Sequence, residues 1–152
     1  MKIVIIKLSS LGDIVQAMVV LQFIKKINHE IVIDWVVENK FKDLLIDHPD
    51  INQIHILNLQ KAKKKKSINQ AFQELKKLRK IEEYDVAIDM QGLLKSALVT
   101  KFIKAKIKVG FDKKSLREPI ASLFYNKKFS FEYSKNIIIR NFSLAMFAME
   151  SI

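Results

Sequence analysis

A chain of 152 residues, 49% apolar and 28% charged, is long enough to bury one sizeable core, and its lack of cysteine excludes disulfides and thiolate metal sites. No apolar run approaches the length of a transmembrane helix, and the opening run breaks at Lys7 and Asp13 with no signal-peptide cleavage pattern after it. A formal net charge of +11 favours anionic partners: nucleic acid, phosphorylated sugars or a membrane surface.

Residues 2–7 read as a first strand, because Ile3, Val4, Ile5 and Ile6 form a short, mostly β-branched run. From Ile14 to Ile27 the apolar positions Ile14, Ala17, Met18, Leu21, Ile24 and Ile27 recur at helical spacing. Between them lies Lys7-Leu8-Ser9-Ser10-Leu11-Gly12-Asp13, a tight turn feeding a helix N-terminus. Ligands of open α/β sheets bind outside the carboxyl ends of strands, so this turn is placed for chemistry. The same residues also suit a purely structural role, with Ser10 or Asp13 capping the helix and Gly12 easing the turn.

Ile31 to Val37 forms a second, largely apolar strand with Glu38 at its carboxyl end, and Phe41 to Ile46 a short helix closed by His48-Pro49-Asp50. Ile51 to Leu57 alternates as a third strand. Lys61 to Lys66 is the densest charge run and reads as a loop: either a solvated one or a clamp for anionic groups. Ile68, Ala71, Phe72, Leu75, Leu78 and Ile81 then mark the apolar stripe of a helix. Tyr84 to Asp89 is the fourth strand, ending in the turn Met90-Gln91-Gly92, and Leu93 to Ile103 is helical. Ile107 to Phe111 is a short strand. Lys113 to Glu118 is a polar loop, with Pro119 at the first position of a short helical stretch to Phe124. Asn136 to Ile152 is the last helix.

Strand and helix thus alternate about five times, which predicts an α/β fold: a Rossmann-like, mostly parallel sheet with helices on both faces. The turns at Ser9–Asp13 and Asp89–Gly92 should converge on one edge of that sheet. Asp13 is the candidate general base, kept ionised by the helix N-terminus, and Gly12 allows a ligand to approach the backbone. Arg117 is one of only three arginines among 27 basic residues, and its loop position suits bidentate anion binding. His29, His48 and His55 share no metal-ligand spacing, and the Met and Phe residues fall mainly at core positions. Phosphate-binding loops of the G-x-x-x-x-G-K-[ST] type, G-x-G-x-x-G and G-x-S-x-G elbows do not occur.

Four ordered segments carry a resemblance: Lys7 to Asp13, Asp34 to Glu38, Tyr84 to Ala97 and Arg117 to Lys128. Together they resemble the heptosyltransferases of glycosyltransferase family 9, in particular those of lipopolysaccharide heptosyltransferase type I. The resemblance implies the N-terminal, acceptor-binding domain of a GT-B glycosyltransferase over residues 1–152, the C-terminal nucleotide-sugar domain being absent from this chain. It implies transfer of heptose from ADP-heptose to Kdo2-lipid A in lipopolysaccharide inner-core synthesis, with inversion, without metal or other cofactor. Asp13 matches the family's proposed base, with Ser9, Ser10 and Gly12 on the same turn. Lys61, Lys63, Lys64 and Arg117 match residues implicated in holding the acceptor, with Gln91 and Gly92 beside them. The implied location is cytoplasmic, peripheral on the anionic inner face of the inner membrane, and the 152 residues alone are expected to be inactive.

The chain departs from the family pattern most of all in length, stopping where the family's first domain hands over to the second, and also in two stretches of sequence. Gln60-Lys61-Ala62-Lys63-Lys64 replaces a stretch that often carries arginine and an aromatic residue, so point-charge attraction replaces bidentate contact. Asn136-Ile137-Ile138-Ile139-Arg140 lacks the family's frequent His-Ala-Val, so no role is carried over to that histidine. The competing readings are a nucleic-acid-binding module built on the lysine clusters and a stand-alone non-catalytic α/β protein. The first is disfavoured because the aromatics sit at core positions rather than between the basic residues, which leaves no stacking platform.

Overall fold

The computed structural model describes residues 1–152. Six strands form one parallel sheet: β1 (Lys2–Ile6), β2 (Val32–Glu38), β3 (Gln53–Leu57), β4 (Tyr84–Asp89), β5 (Ala105–Phe111) and β6 (Lys127–Phe129), in the spatial order β3-β2-β1-β4-β5-β6. Register is set centrally by Ile3 opposite Ile33 on one side and Val86 on the other. The helices are α1 (Leu11–Ile27), α2 (Leu59–Lys64), α3 (Ile68–Lys77), α4 (Leu94–Phe102) and α5 (Ile137–Glu150). None is long and apolar enough to cross a membrane.

Alternation along β1 explains why the sheet is covered on both faces. Ile3 and Ile5 pack into a core with α1 and α5, including Ile14, Leu21, Ile24 and Leu144. Val4 and Ile6 point the other way, into a second core with Leu75 and Leu78 after β3 and Val99 of α4. All four are completely buried, as a strand between two helical layers requires. An edge-to-face pair, Phe23 with Phe142 at 4.9 Å, joins α1 to α5.

Three expectations change. Lys61 to Lys66 is not simply a loop: Leu59–Lys64 is helical because Ala62 is buried and anchors the turn while the lysines around it stay in water. The stripe beginning at Ile68 is only partly a core stripe, since Ile68 is 87% and Phe72 44% exposed; only Leu75 and Leu78 are buried. A sixth strand, Lys127–Phe129, adds to β5 although two of its three residues are lysine, because backbone pairing at an edge does not need apolar side chains on both faces.

The amino ends of the strands carry a polar network of their own. Buried Asp34 accepts hydrogen bonds from Tyr84 Oη at 2.6 Å and Asn52 Nδ2 at 2.8 Å, with Lys2 Nζ at 3.5 Å. His55 Nε2 lies 2.8 Å from Tyr84 Oη. Burial pushes the Asp34 carboxyl up, but His55, Tyr84, Asn52 and Lys2 together bring it down to about 2.

Candidate active site

β1 and β4 are neighbours and parallel, so the turns that follow them meet at the carboxyl edge of the sheet. Gln91 joins them. Its Oε1 accepts from the backbone N–H groups of Leu8 and Ser9, each at 3.3 Å, which gives two orphan donors an acceptor. Asp89 holds the second turn in shape: Oδ1 accepts from Gln91 N at 2.9 Å and Gly92 N at 3.0 Å, while Oδ2 accepts from Tyr125 Oη at 2.7 Å. Burial raises the Asp89 carboxyl more than these donors lower it. Gly92 is required here, having φ +67°, with Leu116 Cδ2 2.6 Å from where a Cβ would stand. Gly12 faces open space and has no such constraint.

Asp13 is the third residue of α1, and its Oδ2 accepts from Ser10 N at 3.3 Å and Ser10 Oγ at 2.7 Å. It therefore does cap the helix, yet it also lines the cleft. Burial pushes its carboxyl up, but the Ser10 hydrogen bonds and the Lys7 charge outweigh that, and it lies below the usual carboxylate range. The Ser9–Ser10 peptide is cis.

The cleft measures about 340 Å³ and is bounded by Asp13, Gln91 and Gly92 on one side and by Arg117, Lys135 and Arg140 on the other, with Lys7 beside Asp13. Asp13 is its one carboxylate against four cations. Two of the cations are buried. Lys7 is 4% exposed and donates to Met90 O at 3.2 Å; Arg140 is 5% exposed and donates to Glu132 O at 3.2 Å and Ser115 O at 3.0 Å. Neither forms a salt bridge, although Arg140 also stacks on Phe111 and Tyr133 at 4.5 and 4.8 Å. Burial lowers both, and for Lys7 the Asp13 and Asp89 charges oppose that. Arg140, held by carbonyls and rings and paired with no carboxylate, attracts an anion strongly, whereas Asp13 and Asp89 offset part of the Lys7 charge.

The structure thus brings together Asp13, Gln91, Gly92 and Arg117 around one cleft. Ser9, Ser10 and Gly12 stand on the adjoining turn, with Gln91 Nε2 3.5 Å from Ser9 Oγ. Lys61, Lys63 and Lys64 lie apart on α2, where Lys63 lines an adjoining groove that also has Lys66 and Lys95 on its walls. Sequence reasoning missed Lys7, Lys135 and Arg140 as cleft residues. Lys7 reads as the last residue of a strand and Arg140 as one position of an apolar helix. The scarcity of arginine was the available pointer to Arg140, as it was to Arg117.

A parallel sheet in this order, with a charged cleft beyond the ends of β1 and β4, is the Rossmann-like domain found in GT-B glycosyltransferases. Residues 56–151 match the sequence pattern of glycosyltransferase family 9 (heptosyltransferase), and the chain belongs to that family. It is 44% identical over 149 residues to lipopolysaccharide heptosyltransferase 1 of Campylobacter coli, covering 98% of this chain and 42% of that protein. It is 34% identical over 134 residues to lipopolysaccharide heptosyltransferase 1 of Escherichia coli K12, covering 84% and 41%. Among solved structures, E. coli heptosyltransferase WaaC with ADP-2-deoxy-2-fluoro heptose superposes with a TM-score of 0.90 at 30% identity, over 99% of this chain and 49% of that one. The chain therefore spans less than half the length of these relatives.

Proposed function

We propose that this chain forms the acceptor-binding half of an inverting heptosyltransferase that moves heptose from ADP-heptose to Kdo2-lipid A. The observation that carries the reading is the single carboxylate, Asp13, at the rim of a cleft with four cations. Relatives named for lipopolysaccharide heptosyl transfer, and a related structure holding an ADP-heptose analogue, support the donor and the substrate class.

In this mechanism Asp13 accepts the proton of the attacking acceptor hydroxyl. The oxygen bonds to the anomeric carbon of the heptose as the bond to ADP breaks on the opposite face, so the anomeric configuration inverts. Keeping Asp13 ionised favours its availability at neutral pH, although a lowered pKa makes it a weaker base. Lys7 and Arg140 hold an anionic group of the acceptor, and Arg117 and Lys135 at the exposed rim draw it in. The nucleotide sugar is held mainly by a second domain. No metal takes part, so chelators leave the rate unchanged. The protein works at the cytoplasmic face of the inner membrane and touches it peripherally through its lysines.

The test is Asp13→Asn in the full-length protein. Loss of a general base predicts a fall in kcat of about a hundredfold to ten-thousandfold with a much smaller change in donor KM. An unchanged kcat would remove Asp13 as the base.

A further inference from the structure

Beside the polar cleft lies a larger groove, about 660 Å³, between α2, α3 and the start of α4. Eight of its fourteen lining residues are apolar. Ala62 and Leu75 are buried in its wall, and Ile68 and Leu94 stand 87% and 37% exposed. An isoleucine this exposed at the start of a helix contributes little to the fold, so its apolar surface is free for something else. Lys63, Lys66 and Lys95 also line the groove. Its one acidic residue, Glu118, is already engaged with the backbone N–H of Leu94 at 2.6 Å.

Leu93 lines both cavities, so the apolar groove and the charged cleft share a wall. An occupant that fits the pair is an amphiphilic anion, with its polar end in the cleft, its acid groups near the lysines and its hydrocarbon in the groove. We infer that the groove takes a fatty-acyl chain of the acceptor, so that part of the lipid is held by the protein while its sugar faces Asp13. The inference rests on the acceptor being an anionic glycolipid, as proposed above, and adds a hydrocarbon subsite to it. Apolar area and positive charge occur together in this groove, which is the complementarity such a ligand requires.

The full-length protein is titrated with dodecyl phosphate below its micelle concentration and, in parallel, with butyl phosphate. Each buried methylene strengthens binding roughly fourfold, so burying three or four predicts about a hundredfold tighter binding of the long chain. Ile68→Asn and Leu94→Asn should each cut that gain to below about tenfold and leave butyl phosphate binding unchanged, while Lys63→Gln with Lys66→Gln weakens both ligands. Ile68 is almost fully solvated, so its substitution tests the groove without disturbing the core. Equal binding of the two phosphates, or a chain-length gain that survives both asparagine substitutions, would overturn the inference. So would binding to anionic phospholipid vesicles without binding to monomeric dodecyl phosphate, because the face would then serve a bilayer. The titration contains no sugar donor, so its failure leaves the transfer reaction standing, and a failed Asp13 test leaves the groove standing.

Discussion

At Gly92 two independent costs fall on one atom. A side chain there would have to hold φ +67° and displace Leu116 Cδ2 from 2.6 Å. Gly92→Ala should therefore destabilise the protein by about 1–3 kcal/mol, measured by denaturant unfolding, whereas Gly12→Ala, facing open space, should be nearly neutral or slightly stabilising through its helix propensity. Asp34 offers a test of a different kind. Its carboxyl lies at about 2 in the folded chain against an ordinary value of 3.8, so its contribution is complete above pH 4 and is lost as pH falls through 2. That difference amounts to about 2 kcal/mol. Thermal unfolding followed from pH 5 to pH 2 should show the wild type losing stability steeply across this window. Asp34→Asn, weaker at the outset, should lose about 2 kcal/mol less over the same range.

Among elements, the two turns after β1 and β4 behave as one unit because Gln91 spans them. Gln91→Leu removes the acceptor of Leu8 N and Ser9 N and should cost about 1–3 kcal/mol. It should also lower kcat by about tenfold or more through displacement of the Asp13 turn. Faster hydrogen exchange at the Ser9 amide would locate the damage, and Gln91→Glu, which keeps an acceptor, should recover most of the protection. The sequence announced both turns, since each follows an apolar strand and contains residues that close turns. It did not announce the clamp, because a glutamine in a loop has no pattern that says whether it faces a ligand or a backbone. The same limit applies to α2. Lysines at five of the six positions from 61 to 66 obscured the one alanine that anchors the helix, and only tertiary packing revealed it. Strand β6 was hidden for the related reason that edge pairing uses backbone groups common to all residues.

For the whole molecule, a net charge of +11 and a lysine-lined groove place long-range attraction and short-range apolar contact on one body. Co-sedimentation with vesicles should rise with anionic lipid content and fall as salt increases from about 50 to 500 mM, since each lysine near an anionic surface adds about 1 kcal/mol that salt screens. Insensitivity to both variables would argue against peripheral attachment. The parallel topology has another consequence, one that concerns time. β1 precedes both of its neighbours in the chain and sits in the middle of the sheet, between β2 and β4. Its second neighbour, Tyr84–Asp89, leaves the ribosome only after 77 more residues following Ile6, roughly 4–15 s later at ordinary synthesis rates. Until then Ile3 to Ile6 present an open, wholly apolar edge to the cell. A nascent chain stalled before Asp89 should be captured by chaperones or aggregate, and one carried on through Glu150, which adds α4, β5 and the covering α5, should not.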